Sequence, residues 1–396
     1  MAENAVTGLA ITAVAAPQPG DEGTGRAAGL RACRALRDAN HMAKWGNLDR
    51  ASTLREDQEY WRGTGYEERL QFLATLDGAP VGTCSVLLPL KENTAAAWIE
   101  VLVSARYRRQ GIGRRLLEVA EETARSRGRR VFEGYCEEPD SAAGPGSAAG
   151  PGSAAGPGSA AGPGSAAGSG SAAGREELPA KSGSGGVPLK LASTRFALAS
   201  GYELEQVERS SRLRLPVEPG LLDALEADAR AHAGNYRVVG WRGSCPEALV
   251  DAYAVLRGRM TADVPTAGLE AEEEEWDAAR VRVEEQSWER SGVVALVAAV
   301  QHAGTGELAA FTVLSYRPER PLVLIQEDTL VAGPHRGRRL GMLAKIANIR
   351  LAQDSCPAAA SIITWNASEN RHMLAINISL GFKPAGFEGE WQKRLE

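Results

Sequence analysis

Apolar and polar residues take up two different rhythms along this chain. In "QFLATLDGAPVGTCSVLLPL" (71–90) they alternate on either side of the turn DGAPVG, which predicts two strands joined tightly. "AWIEVLV" (97–103) passes from alternating to apolar and reads as a third strand. The period then lengthens. In "RRLLEVAEETARSRG" (114–128), Leu116, Leu117 and Val119 fall on one side of a helix and Gly128 is placed to cap its end. "RRVFEGYCEE" (129–138) returns to a strand. The same order follows later in "ELAAFTVLSYRP", "LVLIQEDTLV", "RRLGMLAKIANIRLAQD" and "AASIITWNAS". Strand, helix and strand in this sequence predict a central, partly parallel sheet with helices on its faces, an α/β (α+β) protein.

The two halves align with each other. The segment from Trp98, "WIEVLVSARYRRQGIGRRLL", matches "QEDTLVAGPHRGRRLGMLAK" from Gln326 without a gap. Glu100 then faces Asp328, Arg108 faces Arg336 and Gly113 faces Gly341. Further on, "RFALASGYELE" faces "AINISLGFKPA", with Gly201 opposite Gly381. From Gly113 to Gly201 is 88 positions and from Gly341 to Gly381 is 40, an excess of 48 in the first half. That excess is about the length of a low-complexity tract, "SAAGPG" repeated from Ser141 and continued to Gly174, whose glycines and prolines oppose helix and strand alike. The tract therefore interrupts the first of two copies of one module, and a surface insertion of this kind costs little loop entropy. The expected organisation is a flexible N-terminal tail or first strand (1–25), a first module (26–139 with 187–216), a linker inserted in it (140–186), a connector (217–234) and a second module (235–396).

Composition narrows the function. With 396 residues and 43% apolar content, two cores can be buried. A net charge of −5 argues against a general nucleic-acid binder, so any basic patch is local. Five scattered cysteines without a CxxC pair speak against a zinc site and for reduced thiols in a cytoplasm. No histidine has metal-ligand spacing, and no metal is expected. The start lacks a basic n-region, and no apolar run is long enough to span a bilayer, so no membrane partner is expected.

The densest chemistry lies in "SARYRRQGIGRRLL". A strand enters Arg108-Arg109-Gln110-Gly111-Ile112-Gly113 and a helix leaves it. Glycines there let a ligand approach the backbone. The helix N-terminus offers unpaired N–H groups and partial positive charge, a cradle for a pyrophosphate, and arginines add charge for further phosphates. A dinucleotide fingerprint would need a third glycine where Leu116 stands, and no GK[ST] of a triphosphate loop is present.

The R-x-x-G-x-G turn of Arg108, Gly111 and Gly113, between an apolar strand and an amphipathic helix, resembles the acyl-CoA motif of the GNAT acetyltransferases. "FALASGYELE" and "AINISLGFKP" resemble the same family's final helix and Leu-Gly-Phe turn. The resemblance spans both modules, a layout also found in mycothiol synthase, although no residue here singles out that enzyme's substrate. It implies two GNAT-like modules, each a mixed, splayed central β-sheet flanked by helices, with the pantetheine arm of acetyl-CoA between the fourth and fifth strands. It also implies an N-acetyltransferase acting by direct attack of an amine, from a small molecule or a protein, on the thioester. Backbone of Val101, Leu102 and Val103 would meet the carbonyl oxygen, and Arg108, Arg109, Gln110, Gly111, Ile112, Gly113 and Arg114 would hold the cofactor. In the second module Val331, Arg336, Arg339 and Gly341 stand at corresponding places. There Arg339 replaces the first glycine and Gly337 is displaced by two positions. Glu100 and Asp328 are the expected general bases, with Glu327 as a rival to Asp328. Ala197 and Asn377 occupy the place where many family members carry a tyrosine acid. These missing tyrosines and Arg339 keep a non-catalytic acyl-CoA sensor as the alternative. "EAEEEEW" (270–276) reads as a solvated helix start or as a lure for a cationic amine. Tyr202 and the tryptophans read as packing residues. The chain is expected as a monomer or homodimer.

Overall fold

The computed structural model describes residues 7–18, 27–140, 176–263 and 265–395. The low-complexity tract Ser141–Gly174 lies outside them. In chain order the elements are β1 (Leu9–Val14), α1 (Ala28–Trp45), α2 (Leu54–Tyr60), β2 (Glu67–Leu76), β3 (Ala79–Pro89), β4 (Ala96–Val103), α3 (Ile112–Ser126), β5 (Val131–Pro139), β6 (Glu177–Pro179), β7 (Gly186–Pro188), α4 (Ala192–Ala199) and β8 (Glu203–Arg214). There follow α5 (Pro219–Ala233), β9 (Tyr236–Arg242), α6 (Val250–Gly258), α7 (Met260–Asp263), α8 (Ala278–Ser291), β10 (Val294–His302), β11 (Leu308–Tyr316), β12 (Val323–Val331), α9 (Leu340–Ser355), β13 (Ser361–Ala367), α10 (Arg371–Leu380) and β14 (Lys383–Arg394).

The two modules share one twelve-stranded sheet, in the order β1-β2-β3-β4-β5-β14-β8-β13-β12-β11-β10-β9. That order shows an exchange the repeat did not reveal. The chain's last strand, β14, leaves its own module and pairs antiparallel with β5 of the first. In return β8, the last strand of the first module, pairs antiparallel with β13 of the second. β14 and β8 meet at the centre. Neither sheet is complete without the other module's final strand. Trp391 and Phe387 of β14 are packed with Leu116, Phe132 and Leu204 of the first module's core.

The mixed sheet flanked by helices is as expected, and three local features differ. Residues 177–186, expected within the linker, hold β6 and the start of β7, which pair as a short ribbon that buries Val187 against the first core. The connector 217–234 is largely the helix α5, whose Ala229 and Ala233 pack on Leu340, Leu343 and Ala344 of α9. This cover explains why α9 is apolar nearly all round, whereas α3 has a buried stripe and a charged face. The acidic run 270–276 is not a helix start. It is an extended strap across the first module, where Glu272 N–H donates to Asn93 Oδ1 (2.7 Å) and Asn93 N–H returns a bond to Glu272 Oε2 (2.5 Å). Reciprocally, Arg317 and Arg320 beyond β11 donate to backbone carbonyls of Leu48, Asp49, Ala51 and Ser52. Among the described residues no helix is long and apolar enough to cross a membrane.

Candidate active site

The first cradle follows from a left-handed step taken twice. Ser104 N–H closes β4 on Val81 O at 2.9 Å, a short 3-10 turn covers Ala105–Tyr107, and Arg109 and Gly111 then adopt φ of 64° and 85° before α3 begins at Ile112. Arg108 is not wholly free for a ligand: its Nε donates to Val103 O at 3.0 Å and ties the loop to the strand end. Gln110 bridges to Arg106 O at 3.5 Å. The Ile112 side chain is buried in the core, so only its backbone faces the cradle. Gly113 is a packing position, since a Cβ there would stand 3.4 Å from Phe196 Cε2 and 3.6 Å from Val103 Cγ2. Arg108, Arg109 and Arg114 are exposed, and no ion pair to a carboxylate is seen for them among the described residues.

The second cradle has the same backbone with its residues interchanged. Left-handed positions fall at Gly337 (79°) and Arg339 (56°), each 228 after its counterpart. The displaced glycine thus occupies the first left-handed step, and Arg339 accepts the second. Arg336 Nε donates to Val331 O at 3.1 Å, as Arg108 does to Val103. Gly341 packs against Val331 and Ile376. The charges differ. Arg339 is ion-paired with Asp228 of α5, Arg336 with Asp263 (2.9 Å), and His335 lies 3.2 Å from Glu307. His335, Arg336 and Arg339 of the second cradle are thus engaged from within, and α5, which supplies Asp228, was legible only as a connector.

Below each cradle the sheet forks. β4 and β5 pair in parallel only at Ala96–Trp98 with 131–133, and β12 and β13 only at Val323–Ile325 with 361–363. At the first fork the last pair is Trp98 with Glu133, and just past it a Cβ on Gly134 would stand 2.5 Å from Ile99 O, so only glycine fits that close approach. The Ser104 bond to Val81 fixes the alternation of β4, and the Leu102 carbonyl lies against Gly82. Leu102 therefore turns its backbone toward β3, while Val101 and Val103 turn theirs into the fork. Of the three expected donors, two remain available. Glu100 is exposed on β4, and Tyr135 stands across the fork on β5. The Glu100 charge, ahead of burial and Glu388, holds the Tyr135 phenol well above its ordinary range. No motif in the sequence singles out Tyr135. Its signal was the position two residues past Trp98's partner Glu133, on the same face as Glu100.

The second fork carries a β-bulge that the first lacks: Thr312 pairs with Thr329 but Leu314 with Gln326. The extra residue makes Glu327 the counterpart of Glu100 counted from the fork, and Asp328 counted from the cradle. Asp328 lies 3.5 Å from Arg257, which also binds Glu284 at 2.8 Å. Glu327 accepts from Ser315 Oγ at 2.5 Å, and desolvation in the fork pushes its carboxyl up to about 7. Trp365 stands where the first fork has Tyr135, and its indole donates to Glu137 Oε1 at 2.9 Å.

Buried polar groups support this bulge. Gln326 Nε2 donates to Val313 O at 2.6 Å, and Lys345 Nζ, only 2% exposed, donates to Gln326 Oε1 at 3.2 Å. Burial pushes the Lys345 amine down to about 7 from an ordinary 10.5. The folded chain therefore binds fewer protons than the unfolded chain between those values, and stability rises with pH across that window. Lys345→Met is expected to stabilise the protein at pH 6 by roughly 2–4 kcal/mol. The gain should shrink toward pH 10, as urea denaturation at the two pH values would show.

Between the forks, Glu208, Glu388 and Glu390 bring carboxylate oxygens within 4.8 Å of one another. Burial first raises all three; the Glu369 charge adds to it at Glu208, which is pushed up to about 7, and neighbouring carboxylates add to it at Glu388 and Glu390. The last helices supply no acid: Ala197 is buried and Asn377 Nδ2 donates to Asn366 Oδ1 at 2.6 Å. The Tyr202 hydroxyl donates to buried Glu121 at 3.2 Å and is a packing residue.

These features have parallels in known proteins. Residues 36–143 match the model of the acetyltransferase (GNAT) family. The fold is similar to that of a tandem GNAT protein from the clavulanic acid biosynthesis pathway, with 20% identity, 98% of each chain covered and a TM-score of 0.67. It is also similar to a GCN5-related N-acetyltransferase from Sphaerobacter thermophilus, with 13% identity, 98% and 96% coverage and a TM-score of 0.56. No curated protein matches the sequence.

Proposed function

The chain carries a GNAT-family acetyltransferase domain and has the fold of a tandem GNAT protein, and on that premise we propose that its first module transfers an acetyl group from acetyl-CoA to an amine. The observation that carries this reading is the contrast between the cradles. In the first, Arg108, Arg109 and Arg114 have no carboxylate partner among the described residues and can spend their charge on phosphates, while Arg115 is paired with Glu118. In the second, Asp228, Asp263 and Glu307 already occupy that role.

The residues of the first module divide the work. The loop Arg108–Arg114 receives the pyrophosphate, with backbone N–H groups of Gly111, Ile112 and Gly113 pointing outward. Val101 and Val103 present N–H groups to the oxygen on which charge develops as the amine attacks. Glu100 takes the proton the amine must lose. The bulge and the Glu327 carboxyl favour a second reading, in which the second fork also works once its cradle is freed. A protein that bound acetyl-CoA but released no thiol with any amine would instead be an acyl-CoA sensor.

Calorimetric titration with acetyl-CoA tests the assignment. One site per chain is expected. Two sites would favour the second reading, and no binding would overturn the function proposed for either module.

A further inference from the structure

The structure assigns a second proton-handling residue to the first fork: we propose that Tyr135 relays the proton from Glu100 to the departing sulfur and so replaces the acid missing from α4. This rests on the acetyl-transfer reading and deepens it.

Three observations meet here. First, α4 and α10 present Ala197 and Asn377 at the position where the resemblance leads one to expect a tyrosine, and the nearby Tyr202 hydroxyl is already spent on Glu121. Second, β4 and β5 hold Trp98 and Glu133 in register as their last pair, so Glu100 and Tyr135, two residues on in each strand, lie on the same face just past the close approach of Gly134 to Ile99 O. Both side chains are exposed, Glu100 on β4 and Tyr135 at 47% on β5, and the Glu100 charge acts on the Tyr135 phenol. Third, the second fork has Trp365 at this place, committed to Glu137 and unable to pass a proton between oxygen and sulfur. Carboxylate and tyrosine face each other only in the module whose cradle keeps its charge unspent.

The proton count closes. The amine nitrogen forms the new C–N bond and the C–S bond breaks. The proton lost by nitrogen goes to Glu100. Tyr135 gives its hydroxyl proton to the departing sulfur and takes the Glu100 proton in its place, so both residues end as they began. Beside a carboxylate, the phenol is too weak an acid to protonate sulfur alone. A protonated carboxyl is a far stronger acid than a thiol, by about four pKa units, so the two-step relay runs downhill.

The test follows thiol release from acetyl-CoA with spermidine, tyramine, glucosamine and a lysine peptide, carried forward with the best of the four. Tyr135→Phe is expected to lower kcat roughly 100-fold with KM for acetyl-CoA unchanged. Rates in mixtures of light and heavy water should curve for the native enzyme, with two protons in flight, and become linear in the variant. A tyrosine that only steadied Glu100 would not change that curvature. Turnover within twofold of native, or the same curvature in both, overturns the relay and leaves the transferase reading standing. Absence of thiol release with every amine overturns both. Independently of turnover, absorbance titration should show one phenol shifting to lower pH in Glu100→Gln and missing in Tyr135→Phe. An unshifted phenol also overturns the relay.

Discussion

Truncation after Phe382 is expected to leave no cooperatively folded protein, even though every residue of the first module is retained. The deletion removes β14, which pairs with β5 from Gly386–Pro139 to Arg394–Val131 and with β8 on its other edge. It strips Trp391, 3% exposed, and Phe387 from the first module's core. Losing one buried tryptophan side chain costs about 3–5 kcal/mol, against a total stability of roughly 5–15. Losing it with a central strand, and exposing two unpaired edges, should exceed the whole. Soluble yield and thermal unfolding by circular dichroism would measure this. Fragments 1–216 and 217–396 should be insoluble singly and recovered together. A soluble truncated chain with a sharp transition would mean that the exchanged strand is dispensable.

Gly111→Glu is expected to weaken acetyl-CoA binding at least 100-fold while leaving the fold intact. Gly111 takes φ of 85° at the start of α3, where N–H groups point at the ligand. A carboxylate placed there opposes the pyrophosphate directly. Such a substitution would ordinarily raise the suspicion of misfolding, because side chains disfavour this conformation by roughly 1–2 kcal/mol. The second module removes that objection, since Arg339 holds the equivalent position at φ 56° in an intact helix start. Gly111→Arg is therefore the control: equal strain, opposite charge and binding largely kept. Calorimetry on both variants separates the two effects, and equal loss in both would show that backbone strain, not charge, governs the cradle.

The positions of Arg108, Gly111 and Gly113 were legible because a strand, a turn and an amphipathic helix are local patterns. The repeat was legible for the same reason, and its offset of 228 holds through both cradles. The gapless match fails by one residue before Asp328, because a β-bulge is written in the pairing of β11 with β12 and not in the composition of either. That bulge is why Glu327 and Asp328 both looked like the partner of Glu100.

By itself, the sequence determined the order of elements, the two modules, and the glycine turns that open α3 and α9, since period and backbone conformational preference act over a few residues. Only tertiary structure decided which strand completes which sheet, because β8 and β14 have partners far away in the chain, and either arrangement satisfies their own alternation. Only tertiary structure decided which cradle keeps its charge, because Asp228 and Asp263 reach Arg339 and Arg336 across packed helices. And only the parallel register of β5 on β4 set Tyr135 across from Glu100, since which residues face each other across a fork depends on the pairing and not on either strand alone.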